Sequence, residues 1–529
     1  MPWAPRAPPW RAPATPCPIP DVRRSISTDF FDNPDREREP AAVEPPWWHP
    51  LRSDSGPWVA RLFHRLLALI FLCAWVSLGV QVRVLIGARG LLPVEDVFAA
   101  ARADPASLTF ADFPTLLWLT HNDAALVMGT FIGAALAVLA AAGIRTRLCF
   151  ALSTILYLSY ATACRLFLSF QWDNLLLECG FLAVFLPADQ PKPAIHFLFR
   201  ALLFKLYFES GIAKGQSPLH DWWDGSAMTY YYETAPLPTP LAWTAHYLPL
   251  WWHHLESRAT LALELVVPLG IFGPRRIRWA TAIALTIFQI VNAATANYGF
   301  FCYLALALNV FLLDDPARER EQQALIPAPA QWRGLLGGAF AAAVVFVSLI
   351  EALFHFTDPG PVLAPFSRLI DVAQRVRIVN TYHLFGAITR ERIEPEFQTL
   401  EAGHDAGDEN AWRAQDLRFK PGDPNRQPPI VAPHQPRVDF QLWFHGLSFQ
   451  HRPPSYVAVL QERMCEDGPA VQSLFRFPLP PHPAAVRVVY WRYHFTTPDQ
   501  AQTQPTTKTW WRRERVAAAA PVTCPHATP

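Results

Sequence analysis

The sequence predicts a mainly α, polytopic membrane bundle of about nine transmembrane helices, followed by a small soluble β-rich, sandwich-like C-terminal domain. Three observations predict it. Apolar residues make up 51% of the 529-residue chain and concentrate between Leu62 and Phe356, in blocks separated by short polar signals. That is the pattern of a multi-pass membrane protein. From about Asp371 the composition turns soluble and alternating segments begin. Third, the apolar run Ser169 to Pro187 (SFQWDNLLLECGFLAVFLP) carries Gln171, Trp172, Asp173 and Asn174, with Glu178 one turn further in. Ionisable groups at membrane depth are costly and need a partner or a use.

The formal net charge of +1 excludes a nucleic-acid binder that works through bulk positive charge. The eight cysteines are scattered without a CxxC, so neither a zinc site nor a disulfide framework is implied. No cofactor or metal is implied either. Residues 1–55 are Pro-rich and charged and read as a disordered leader. Residues 56–370 form the transmembrane domain, 371–515 the soluble domain and 516–529 a disordered tail.

Arg61 to Ile86 is the first expected span, and Leu116 to Ala142 contains the second. The third runs from Leu148 to about Phe170, and the fourth is the run Ser169 to Pro187. Ile195 to about Ile212, with Lys205 and Glu209, is the fifth. A polar, aromatic-rich loop follows over residues 213–257. Ala259 to Phe272, with Glu264, is a short sixth span, after a Trp-rich stretch from Leu241 to Leu255 that suits the membrane interface. Trp279 to Ala296, Tyr298 to Leu313 and Leu335 to Phe356 complete the set.

Orientation follows from basic residues. With the leader cytosolic, the even-numbered spans end at GIRTR (Gly143 to Arg147), PADQPKP, GPRRIR (Gly273 to Arg278) and DDPARERE. These loops carry most of the membrane-proximal Arg and Lys, and positive charge marks the cytosolic side. An odd number of crossings then places the loop 213–257 and the C-terminal domain on the exoplasmic side. In that domain Arg392 to Glu401, Trp412 to Lys420 and Val486 to Thr496 read as strands. Pro436 to Leu447 fits both periods. A short helix is favoured, with Phe440, Trp443, Phe444 and Leu447 on one face.

Four groups are candidate sites. In the first, Gln171, Asp173 and Asn174 either cap a helix at headgroup level or belong to a polar site with Glu178, which lies too deep for a cap. In the second, Lys205 and Glu209 lie four apart, as an intrahelical ion pair or as part of one buried site with Glu178. In the third, Trp222, Trp223, Tyr230, Tyr231, Tyr232 and Trp243 either anchor the loop at the interface or receive a partner chain or an acyl group. In the fourth, the run Phe419 to Phe444 holds His434, Arg437 and Trp443 as possible client contacts, although a lone His is usually structural. Cys465 and Cys524 both lie in the C-terminal domain and can pair, despite the expected disorder of the tail.

Several motifs in order carry a resemblance: SFQWDNLLLECGF, FESGIAKG (Phe208 to Gly215), YYETAPLPTPLAW (Tyr231 to Trp243), ELVVPLGIFGPRRIR, TANYGFFCYL and FKPGDPNRQPPIVAPHQPRVDFQLWF. From about Arg61 to Arg515 the chain resembles the lipase maturation factor family. Its membrane half is distantly similar to the membrane domain of the vitamin-K-dependent carboxylase superfamily. The first resemblance implies a multi-pass protein of the endoplasmic reticulum membrane that assists assembly of secreted dimeric lipases, without itself being a lipase. Pro-, Ala- and Arg-rich usage points to a bacterial source, in which case the membrane is the cytoplasmic one.

The first functional reading is therefore a chaperone-like maturation factor whose partners are a secreted client and membrane lipid. A membrane enzyme using Glu178, Lys205 and Glu209 in acid–base chemistry is the alternative. A transporter ranks last, since no internal repeat is evident.

Overall fold

Pro57 opens the first helix, where its missing N–H costs no hydrogen bond. The computed structural model describes residues 56–104, 108–190, 192–316, 331–358, 360–499 and 509–525. These fall in one unit, Trp47–Pro529. The leader 1–55, most of DDPARERE and the last four residues lie outside them.

The helices are α1 (Pro57–Gly79), α2 (Val82–Ile86), α3 (Val94–Ala103), α4 (Asp123–Ala141), α5 (Thr146–Ala163), α6 (Gln171–Val184) and α7 (Pro193–Gly215). The loop holds α8 (Asp221–Asp224), α9 (Ala227–Thr234) and α10 (Pro240–His246). Then follow α11 (Leu250–Leu265), α12 (Arg275–Thr295), α13 (Phe301–Leu308), α14 (Gln331–Phe356) and α15 (Ser367–Val376). Among the described residues, α1, α4, α12 and α14 are long and apolar enough to cross a membrane. Each of the other expected spans has a helix at its place, but a shorter or more charged one.

The largest departure is the fourth. α6 has 14 residues, about 21 Å at the α-helical rise, against a hydrocarbon core of about 30 Å. It is buried along most of its length. Its start meets the C-terminal domain, while the Val184 carbonyl at its end accepts from Arg147 Nε of the GIRTR loop at 2.5 Å. The sixth expected span is also corrected. Its apolar half continues the Trp-rich stretch in a single helix, α11, closed by a 3-10 turn over Val267–Phe272.

Two devices close the bundle. Gly129 and Gly133, four apart on α4, press against Tyr160 and Trp75, where a Cβ would overlap either ring. Small residues at this spacing let helices approach closely in lipid. At one end, the Asp315 carboxylate accepts from the backbone N–H groups of Gly56, Trp58 and Val59 at 2.8, 3.2 and 3.1 Å. An anion at a helix N-terminus is favourable. Asp314 pairs with Arg275 at 2.7 Å and with Arg278. DDP therefore ties α1 and α12 together.

The C-terminal domain is one antiparallel sheet, ordered β2-β1-β3-β4, with β5 paired to the start of β3. Its strands are β1 (Arg392–Leu400), β2 (Trp412–Gln415), β3 (Ala485–Phe495), β4 (Trp511–Ala518) and β5 (Val522–Thr523). Helices α16 (Arg437–Leu447) and α17 (Ser455–Glu466) join it. The expected sandwich is thus replaced by a single sheet. All nine residues of β1 are buried, but α16 and the loop around Ala235 supply cover that a second sheet would give.

The favoured helix over 436–447 forms, yet its buried side differs. Arg437, Phe440 and Gln441 are buried while Phe444 and Leu447 are exposed. The tail is also corrected. β4 runs to Ala518, and Cys524 is bonded to Cys465, which anchors the chain end on α17.

Candidate functional site

The polar start of α6 is a socket for the C-terminal domain. Asp173 and Arg437 are both fully buried. The guanidinium grips the carboxylate with Nη1 to Oδ2 at 2.6 Å and Nη2 to Oδ1 at 2.8 Å. Tyr157 Oη donates to Oδ1 at 2.7 Å. Bidentate geometry and a filled hydrogen-bond shell are the conditions under which a desolvated pair holds together. Burial opposes the Arg437 charge, but Asp173 and Tyr157 outweigh it and hold the group protonated above its ordinary range.

The segment leading into α16 is fixed by α1 and its following turn. Gln435 N–H donates to Ser77 Oγ at 2.9 Å, and Arg437 N–H donates to Gln81 Oε1 at 2.8 Å. His434 Nδ1 lies 3.0 Å from Ser77 Oγ. Burial, with Arg437 nearby, pulls the His434 imidazole down to about 4, so it serves as a neutral hydrogen-bonding group. The break between α1 and α2 within the first expected span is what presents Gln81.

The capping reading for Gln171, Asp173 and Asn174 is replaced by these long-range contacts. Gln171 Oε1 accepts from His383 N–H at 2.8 Å, and Asn174 Oδ1 lies 3.5 Å from Arg377 Nη1. Among the described residues no side chain caps the start of α6.

Deeper in, Glu178, Lys205 and Glu209 meet in one buried cluster. Lys205 Nζ bonds Glu178 Oε1 across helices at 2.8 Å, so its close pairing is with α6 rather than within α7. Glu178 Oε2 accepts from Tyr382 Oη at 2.8 Å and Asn380 Nδ2 at 3.2 Å. Glu209 Oε2 accepts the Tyr382 backbone N–H at 2.8 Å. Buried Glu351 of α14 lies within electrostatic reach of Lys205 and Glu178. Arg377, Asn380, Tyr382 and Glu351 were not singled out from sequence. Nothing local marked the first three, whose partners stand about two hundred residues away, whereas Glu351 lies inside the ninth expected span and carried the same signal as Glu178. Among the described residues no group of His, Cys, Asp and Glu side chains is arranged to hold a metal ion.

The aromatic loop packs largely inward. Trp222, Tyr231 and Tyr232 are buried. Trp222 Nε1 donates to Gly386 O at 3.0 Å, and Tyr231 and Tyr298 share a hydroxyl contact at 2.7 Å. Tyr230 lies under the Arg390 guanidinium, and Trp243 Nε1 donates to Thr496 O at 2.9 Å. Trp443, half-buried, donates from Nε1 to Thr234 O at 2.8 Å. Trp223 is exposed.

Arg392 explains how YYETAP meets the sheet. Its guanidinium donates to the carbonyls of Glu233, Ala235 and Pro236 at 2.9, 2.5 and 3.0 Å. Glu233 answers with Oε1 accepting the Phe495 N–H at 2.7 Å and Oε2 at 3.0 Å from His494 Nδ1. That hydrogen bond raises the His494 pKa above 6.5, against burial and Arg512 and with Glu514. His246, 3.9 Å from the same carboxylate, is instead driven down by burial.

A raised folded-state pKa means that the His494 contribution is fully present below about pH 6.5 and is lost as pH rises through the folded value. We predict that protection of the Phe495 amide against hydrogen exchange, corrected for intrinsic rate, falls as pH rises above about 6.5. Glu233→Gln should flatten that profile. Equal profiles for both proteins would exclude the contact as its cause.

Residues 58–320 match the lipase maturation factor transmembrane domain, and residues 378–521 match the lipase maturation factor C-terminal domain. The chain belongs to the lipase maturation factor family. It is 29% identical to lipase maturation factor 1 of Bos taurus over 531 residues, covering 92% of each chain. It is 28% identical to lipase maturation factor 2 of Homo sapiens over 587 residues, covering 86% of this chain and 81% of that one. No solved structure matches. Asp173 falls in the first matched lipase maturation factor domain and Arg437 in the second, so the buried pair joins the two. Helix α14 lies between them.

Proposed function

We propose that this chain is a membrane-embedded maturation factor for secreted proteins, with lipases as the clients. The observation that carries the reading is the match to lipase maturation factors along both domains. The bundle is embedded in the membrane and holds the C-terminal sheet on the exoplasmic side. That side is the lumen of the endoplasmic reticulum, or the periplasm if the source is bacterial. Two features support this side: Arg145, Arg147, Arg275, Arg276 and Arg278 cluster in the opposite loops, and the Cys465–Cys524 disulfide suits an oxidising compartment.

Client contact passes from the buried aromatics to exposed apolar residues of the C-terminal domain. Ile430, Phe477 and Phe444 are 78%, 57% and 45% exposed. Such residues bind apolar patches of an unfinished fold without demanding one sequence. The Glu178–Lys205 cluster is read as structural, because neither residue lines the large cavity described below.

The test is co-expression with a secreted dimeric lipase in cells lacking their own maturation factor. Lipase activity per mass of secreted lipase should rise at least about tenfold with this chain, a shift of about 1.4 kcal/mol in the folded fraction. Unchanged specific activity would overturn the reading.

A further inference from the structure

A cavity of about 330 Å³ lies between α7, α9, α11 and α12, within the range of small-molecule sites. Its lining is mostly apolar. On one side it is bounded by Ala259, Ile287 and Val291, all exposed. Ile287 continues the outward face that Ile283 and Ile290 form on α12, and both are also exposed. Since α12 is long and apolar enough to cross a membrane, this face meets acyl chains. The opening therefore looks sideways into lipid rather than toward water.

The inner wall carries two carboxylates, each with one bonded partner. Lys214 Nζ bonds Glu264 Oε2 at 2.7 Å, and Tyr232 Oη donates to Glu256 Oε1 at 2.5 Å. Two buried acceptor atoms are left over, Glu256 Oε2 and the amide oxygen of Gln289. Gln289 is 1% exposed and spends its Nε2 on Tyr207 Oη at 2.9 Å, while its Oε1 has no hydrogen-bond partner. A buried acceptor without a donor is unfavourable. A guest that fits this wall brings a hydroxyl and no charge. An anion would face the two carboxylates, and a cation would face the Lys214 ammonium.

We propose that this cavity is a lateral binding site for a neutral, hydroxyl-bearing, single-chain lipid. The chain enters between α11 and α12, and the hydroxyl donates to Gln289 Oε1. Leu384 and Phe385 also line the cavity, so the occupant touches the segment that wires the C-terminal domain to the bundle. The site does not depend on the maturation reading.

The test uses the full chain in nanodiscs, with tritiated 1-oleoylglycerol as probe and methyl oleate, oleate and oleylamine as competitors. The probe should bind saturably at one site per chain. Methyl oleate, which lacks a donor, and the two charged lipids should compete at least about tenfold more weakly. Gln289→Leu should weaken binding about tenfold, and Ile287→Trp, which fills the opening from an exposed position that tolerates bulk, should abolish it. Equal competition by methyl oleate overturns the hydroxyl assignment. Undiminished binding to a folded Ile287→Trp protein overturns the site.

Discussion

Replacing Arg437 with methionine is expected to destabilise the protein by about 3–5 kcal/mol, the usual cost of leaving a buried charge without its partner. Asp173 would keep the Tyr157 hydroxyl, 2.7 Å away, and the favourable end of the α6 dipole. Neither replaces two charge-assisted bonds. The paired change Asp173→Leu with Arg437→Met should recover much of the loss, because no uncompensated carboxylate then stays in the interior. Thermal unfolding in detergent gives the stability order wild type, double variant, single variant. Since the pair joins the two matched domains, the single variant should also be cut by trypsin after exposed Arg390 before the wild type is. If the single and double variants melt together, the pair contributes no coupling and the socket is only a packing contact.

What was legible in the sequence was whatever depends on local pattern. The apolar blocks gave helices in the right places, and Glu178, Lys205 and Glu209 stood out because charge inside an apolar run is expensive. The β-branched run ending at Phe495 gave β3. What failed depends on partners far along the chain. Gln171, Asp173 and Asn174 stayed open between a cap and a polar site because nothing local points to His383, Arg437 and Arg377. The aromatic loop stayed open between interfacial anchor and contact platform because composition does not tell an interfacial tyrosine from one buried inside the fold. α6 read as a full span because an apolar run continues past the point where Phe185 ends the helix. The sandwich failed for a related reason. Alternation in β1 shows that a face is covered, not what covers it.

The same contacts decide what a truncation should do. A chain ending at Val376, after α15, would keep every apolar span and would insert. It should nevertheless yield little folded bundle, under about a tenth of the full-length amount by size-exclusion chromatography, a loss worth roughly 1.4 kcal/mol or more. Removing the rest of the chain strips Arg437 from Asp173, Tyr382 and Asn380 from Glu178, and the Tyr382 amide from Glu209. Three buried carboxylates would lose donors at once, each at a cost of several kcal/mol, against a total stability of about 5–15 kcal/mol for an ordinary domain. Extending the truncated chain to Thr389 restores the Tyr382 and Asn380 contacts but not Arg437, so it should recover part of the yield. A monodisperse bundle from the Val376 chain at full-length yield would show that the C-terminal domain is an appendage and that the buried carboxylates are served from within the bundle.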